Sequence, residues 1–249
     1  MIFEGKVAVV TGGSKGIGRC IVEMFATQGA SVAIFDKEPA ASDTHLFVQG
    51  DATKQEDLER FAHAVISKFG AIDFLINNAC FSNGGILSQC SYEAFNEILH
   101  VGVTAPYYLS MLFLKHFNPN ASIVNISSTR AFMSQRDTES YTAAKGGITA
   151  LTHGLAMSLT GIARVNSVSP GWVDTRAWQG TEQAIAPVSA ADKLQHPSQR
   201  IGEPQDIARV VQFLCSQESG FINGENITVD GGMTKRMIYH GDEGWSLNP

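Results

Sequence analysis

The stretch Thr11-Gly12-Gly13-Ser14-Lys15-Gly16-Ile17-Gly18 joins a short apolar run, Val7 to Thr11, to a segment of helical pattern, Gly16 to Gln28. Glycines at Gly-x-x-x-Gly-x-Gly spacing let a chain turn sharply from strand to helix and bring its backbone close to a ligand. The helix N-terminus then offers free N–H groups and a partial positive charge to a phosphate. A glycine-rich turn alone is a weak sign, so its place between strand and helix carries the reading.

The rest of the chain repeats the same unit. Short apolar, β-branched runs predict strands over Val7 to Thr11, Ser31 to Asp36, Leu46 to Gly50, Ile72 to Asn77, Ser122 to Ser127, Val165 to Ser169 and Asn226 to Val229. Helical segments are predicted at Gly16 to Gln28, Lys54 to Phe69, Tyr92 to Phe117, Glu139 to Leu159 and Pro204 to Ser216. Apolar strands alternating with helical crossovers are the pattern of a parallel sheet covered on both faces. The expectation is one doubly wound, Rossmann-type α/β domain over residues 1–249, a three-layer αβα sandwich with a seven-stranded parallel sheet. Thr175 to Gln199 breaks the rhythm and is expected to be a substrate lid or a surface excursion.

Composition narrows the class. The 18 basic residues face 24 acidic ones, a net charge of -6 with no basic run, which argues against a nucleic-acid partner. Cys20, Cys80, Cys90 and Cys215 are scattered, without the close pairing of a zinc or dithiol site, so reduced thiols and no metal are expected. No apolar run reaches membrane-spanning length, and the first residues pass straight into a strand pattern. A cytoplasmic location is the expectation.

Asp36 closes the second strand about 20 residues after the glycines, where a carboxylate can accept from the adenosine ribose hydroxyls. Its charge would repel a 2′-phosphate and so favours NAD over NADP, although Lys15 and Lys37 are near enough in sequence to offer a phosphate a cation. Further along, Tyr141 and Lys145 stand at i and i+4, on one face of a helix. Ser128 lies thirteen residues before Tyr141, just past the strand Ile123 to Ser127, where open α/β sheets place their ligands. Ser127 and Tyr108 are nearby alternatives.

At these residues the chain resembles the short-chain dehydrogenase/reductase family, over nearly its whole length. The glycine turn, Asp51 after the third strand, Asn77-Asn78-Ala79, Ser128, Tyr141-x-x-x-Lys145 and Pro170-Gly171 fall in that family's order and spacing. The resemblance implies that Tyr141 is the general acid/base, that Lys145 binds the nicotinamide ribose and favours the tyrosine's phenolate, and that Ser128 holds the substrate oxygen. It also implies phosphate contacts at Gly12, Ser14, Lys15, Gly16, Ile17 and Gly18. Asp51 and Ala52 would contact adenine, Asn78 the adjoining sugar, and Pro170, Gly171 and Val173 the carboxamide. The implied activity interconverts a secondary alcohol and a ketone or aldehyde with NAD, on a small molecule and in a homo-oligomer, a tetramer or dimer. The physical logic agrees: a free tyrosine keeps its proton at neutral pH, and nearby positive charge favours its ionised form.

Two positions depart from the family pattern. Gly102 stands where many members carry an Asn that holds a relay water, leaving a water, His100 or another group to serve. Cys80 stands where the family has glycine, and a small backbone shift is expected to admit it rather than a reactive thiol. Both motivate an alternative, a catalytically weak NAD-binding, redox-responsive regulator. Around the expected carbonyl site Arg130, Gln135, Arg136, Asp137, Thr138, Ser82 and Asn83 form a polar rim that suggests a sugar or polyol, while Phe132, Met133, Trp172 and Trp178 could line an apolar pocket instead.

Overall fold

The computed structural model describes residues 1–39, 44–180, 187–239 and 241–242. Seven strands, β1 (Val7–Thr11), β2 (Ser31–Asp36), β3 (Leu46–Gln49), β4 (Ile72–Asn77), β5 (Phe117–Ile126), β6 (Ala163–Pro170) and β7 (Asn226–Val229), form one sheet in the order β3-β2-β1-β4-β5-β6-β7. Every pairing is parallel. The helices are α1 (Gly16–Thr27), α2 (Gln55–Phe69), α3 (Tyr92–Leu99), α4 (Ala105–Leu112), α5 (Glu139–Ser158), α6 (Ala190–Leu194) and α7 (Pro204–Cys215). The three-layer Rossmann-type architecture expected from the sequence is therefore present.

The period-2 alternation of each strand sorts its side chains into two cores. Ala8 and Val10 of β1, Ile34 of β2, Ile76 of β4 and Val124 of β5 face α1 and α7. Their neighbours Val9, Ala33, Leu75 and Ile123 face α2, α4 and the end of α5. Each fully buried Ile, Leu or Phe contributes about 1.5–3 kcal/mol, so both faces fix the register. No described helix is long and apolar enough to cross a membrane.

The long helix expected over Tyr92 to Phe117 is not continuous. α3 ends at Leu99, a single π-helical turn occupies His100–Thr104, and α4 stops at Leu112. Pro106 lies in the first turn of α4, where its missing N–H costs little. Phe117 belongs to β5 rather than a helix because it pairs with Ile72, across an irregularity between Ile72 and Phe74.

The order of strands reverses between β1 and β4, which opens a crevice at the carboxyl end of the sheet. Thr11, Asp36, Asn77, Ile126 and Pro170 close their strands at that end.

Candidate active site

The glycine turn is built from close approaches. Gly12 and Gly16 have φ of +65° and +57°, conformations that glycine adopts without a Cβ penalty. A Cβ on Gly18 would lie 1.9 Å from the Gly12 carbonyl oxygen, so only glycine lets α1 start against the turn. Asn78 at the end of β4 fastens the turn from below, its Nδ2 donating to the carbonyls of Thr11 (3.1 Å) and Gly12 (2.8 Å).

Asp36 is also tied into this turn. Its Oδ2 accepts from the Ser14 backbone N–H at 2.8 Å and its Oδ1 from the Glu38 N–H at 3.0 Å. Lys15 Nζ lies 3.6 Å from Glu38, and Lys37 Nζ donates to Asp51 at 3.1 Å, so each lysine near Asp36 already has a carboxylate partner. Burial would push the Asp51 carboxyl up, but hydrogen bonds from Thr53 and Lys37 outweigh it and hold the group below the usual range. A cavity of about 400 Å³ is lined by Gly12, Lys15, Gly16, Ile17, Asp36, Asp51, Ala52 and Asn78, with Cys80, Glu97 and Val101 at its inner side. Ser14 and Gly18 are buried in the turn behind it, the Ser14 hydroxyl donating to the Glu38 carbonyl at 3.0 Å.

A second cavity of about 880 Å³ brings Ser128 and Tyr141 together with Gly171 and Val173. Ser128 ends the chain leaving β5, and its Oγ accepts from the Arg130 N–H at 3.1 Å, capping a short 3-10 turn over Thr129–Ala131. Lys145 is almost fully buried, its Nζ donating to the Ile126 carbonyl at 2.7 Å and lying 5.3 Å from the Tyr141 ring centroid. The ammonium is thus fixed beside the phenol by a strand end. Ser127 is excluded as an alternative because its hydroxyl donates to the Lys145 carbonyl, 2.9 Å away, and lies 2.8 Å from Thr149 Oγ1. Tyr108 is excluded by position: its hydroxyl donates to Glu59 at 2.5 Å on the outer face of α2 and α4.

The expected polar rim shrinks to Arg130 and Gln135, which line the second cavity. Asp137 is consumed by structure, its Oδ1 accepting from Leu87 N–H (2.9 Å) and Ser88 N–H (3.0 Å). Thr138 donates to the Gln135 carbonyl and Asn83 to the Ala94 carbonyl. Met133 and Trp172 line the cavity, whereas Trp178 packs over Arg19 of α1, 5.9 Å from its guanidinium carbon. Gln195, at the end of α6 in the segment expected as a lid, also lines the wall, as do Met233, Arg236 and Ile238, which carried no sequence signal because the chain beyond β7 has no periodic pattern. Of the expected lid, 181–186 lie outside the described residues.

The two departures from the family pattern lie close together. A Cβ on Gly102 would lie 2.9 Å from Ala144 Cβ and 3.4 Å from Cys80 Sγ. Gly102 therefore lets the π-turn approach α5 one residue before Lys145, and the Cys80 thiol fills adjoining space. His100 does not substitute there, since it is exposed on a separate cleft with Thr53, Gln55 and Tyr108. Beneath the site, Asn77 Nδ2 donates to Asn125 Oδ1 (2.8 Å) and Asn125 Nδ2 to Thr152 Oγ1 (2.9 Å), a buried ladder joining β4 and β5 to α5. Among the described residues, no group of three or more His, Cys, Asp or Glu could hold a metal.

Residues 12–234 match the family described as Enoyl-(Acyl carrier protein) reductase. The chain is 35% identical to an L-fucose dehydrogenase of Mus musculus, over 92% of this chain and 89% of that one. It superposes on an apo SCOR enzyme from Clostridium thermocellum with a TM-score of 0.89 at 41% identity, covering 99% of each chain. An aldohexose dehydrogenase from Thermoplasma acidophilum gives a TM-score of 0.88 at 30% identity, covering 97% of this chain and 98% of that one.

Proposed function

Because the chain belongs to the short-chain dehydrogenase/reductase family of oxidoreductases, we propose that it interconverts a secondary alcohol and a ketone, or an aldehyde, with NAD, acting on a sugar or polyol. The observation that carries this reading is the shared cavity: Ser128 and Tyr141 line it together, and the Lys145 ammonium stands beside the Tyr141 ring. The two sugar dehydrogenases similar to this chain support the substrate class.

The residues fit a dinucleotide. Gly12, Gly16, Asp36, Asp51 and Ala52 would hold its adenosine and phosphates, and Gly171 and Val173 its nicotinamide end. Asp36 brings a carboxylate to the wall of that cavity, which would repel a 2′-phosphate, and Lys15 and Lys37 are engaged by Glu38 and Asp51, which favours NAD. When bound, the nicotinamide supplies or accepts the hydride. Tyr141 gives its hydroxyl proton to the substrate oxygen in reduction and takes it back in oxidation, a role worth about 10²–10⁴ in rate. Ser128 Oγ donates to the same oxygen, so the developing alkoxide meets two hydrogen-bond donors. The Lys145 ammonium, 5.3 Å from the Tyr141 ring centroid, would also hold the nicotinamide ribose.

A side chain at Gly102 would meet Ala144 and approach the Cys80 thiol, so close packing explains the missing side chain without a redox role. Exposed Tyr107, Met111 and Met157 on α4 and α5 support a homo-oligomer built on those helices. The test is NADH formation across a panel of sugars and polyols, with NADP as the second arm. Turnover with NAD on at least one of them, and far less with NADP, is expected; turnover with NADP alone contradicts the cofactor assignment.

A further inference from the structure

We propose that the substrate carries an anionic group, a carboxylate or phosphate, which Arg130 holds in the cavity beside Ser128 and Tyr141; this deepens, and rests on, the reading of that cavity as the oxidoreductase site. Arg130 lies two residues after Ser128, on the 3-10 turn that Ser128 caps. Its backbone N–H donates to the Ser128 hydroxyl, and its guanidinium Nη2 donates to Gln135 Oε1. Both side chains belong to residues that line the cavity. The guanidinium is therefore oriented by a neutral amide, which leaves its charge uncompensated.

Among the described residues, Arg19, Arg60, Arg176, Arg200 and Arg209 are each paired with a carboxylate, and Arg130 is not. No Asp or Glu is among the described residues that line the cavity. In a chain of net charge -6, this is a local reversal of sign at the candidate reaction centre.

The donor balance points the same way. A neutral polyol offers hydroxyls that donate as well as accept, and carboxylates are good partners for the donating role. This wall instead presents a donor-only guanidinium whose planar fork matches a carboxylate or phosphate. The phosphates of a dinucleotide are not the candidates, because the glycine turn that would take them lines the other cavity.

The probes are gluconate, glucitol 6-phosphate and neutral glucitol, each titrated calorimetrically into the full-length protein saturated with NADH, where alcohols bind without turnover. At least one anion is expected to bind about ten- to a hundred-fold more tightly than glucitol, the range for hydrogen bonds to a charged group. Which anion wins identifies a carboxylate or a phosphate as the recognised group. Arg130→Met should abolish the preference, while Arg130→Lys, which keeps a charge without the fork, should retain part of it. NADH affinity and melting temperature serve as the folding control, and added salt should weaken the preference in the wild type. Equal affinity for glucitol and both anions, no measurable anion binding, or an undiminished preference in a folded Arg130→Met protein would overturn the proposal. Failure of the oxidoreductase reading would appear separately, as no NADH formed from any alcohol, with the binding difference intact.

Discussion

Replacing Asp36 with Ala removes the carboxylate that accepts from the Ser14 and Glu38 backbone amides, at 2.8 and 3.0 Å. The two losses are unequal. Glu38 is exposed, so its N–H finds water at little cost, whereas Ser14 is buried and its N–H is left without a partner. An unsatisfied buried donor costs about 1–3 kcal/mol. For a chain of this size that lowers the melting temperature by about 2–4 °C per kcal/mol, so a fall of roughly 2–12 °C is expected. The same amide belongs to the glycine turn, so NAD affinity should fall at least about tenfold, one factor of ten for each 1.4 kcal/mol needed to reorder it. Asp36→Asn, which retains one oxygen for Ser14, should recover most of the stability. Calorimetric titration with NAD and NADP, alongside thermal melts, reads all of these. An Ala variant with an unchanged melting temperature and a gain in NADP affinity would show that Asp36 only selects the ribose and does not build the turn.

Gly102→Ala places a Cβ 2.9 Å from Ala144 Cβ. Overpacking of this kind costs about 1–3 kcal/mol, more than the roughly 1 kcal/mol that helix propensity returns. The variant should be less stable and turn over more slowly, and a more stable variant would contradict the packing account. Burial pushes the thiol of Cys20 up to about 11 and that of Cys215 to about 12, so in the folded protein an aromatic disulfide reagent should titrate only the half-buried Cys80 and Cys90, with NAD protecting Cys80, which lines its cavity. Four fast thiols would contradict this. Hydrogen bonds from Arg200 hold Asp206 below the ordinary carboxyl range, and backbone and side-chain hydrogen bonds from Thr234 and Gly232 outweigh burial to do the same for Asp230. For such groups the stabilisation is complete above the unfolded value, about 3.9, and is lost as pH falls through the lower folded values. Thermal melts across pH 3–7 should therefore show this loss below about pH 4, and melts flat to pH 3 would refute it.

Much of this was readable from the residues themselves. The apolar runs gave all seven strands because parallel strands buried on both faces have no polar side to blur them. Gly12, Gly16 and Gly18 announced a turn that no other residue could make. The pair Tyr141 and Lys145 was legible because helical spacing alone puts them on one face. The π-turn at His100–Thr104 was not, since its residues continue the apolar pattern of the flanking helices and only Pro106 hinted at a break. Likewise Phe117-Asn118-Pro119-Asn120 reads as a turn, yet Phe117 is held in β5 by its pairing with Ile72. Asp137 looked like a ligand group because a sequence does not say which amides will claim it. The approach of distant segments, such as Cys80 to the turn at Gly102 or Arg236 to the cavity of Ser128, exists only after the chain has folded.

The measurement that bears most directly on the central claim is the Tyr141→Phe variant, compared with the wild type on the best alcohol substrate and titrated in parallel with NAD. The phenol is the only proton donor assigned to the substrate oxygen, so turnover should fall by about 10²–10⁴ while NAD affinity stays within a factor of two. A variant that retains most of its turnover would contradict the assignment of Tyr141 as the general acid/base, and with it the chemistry drawn from the cavity it shares with Ser128.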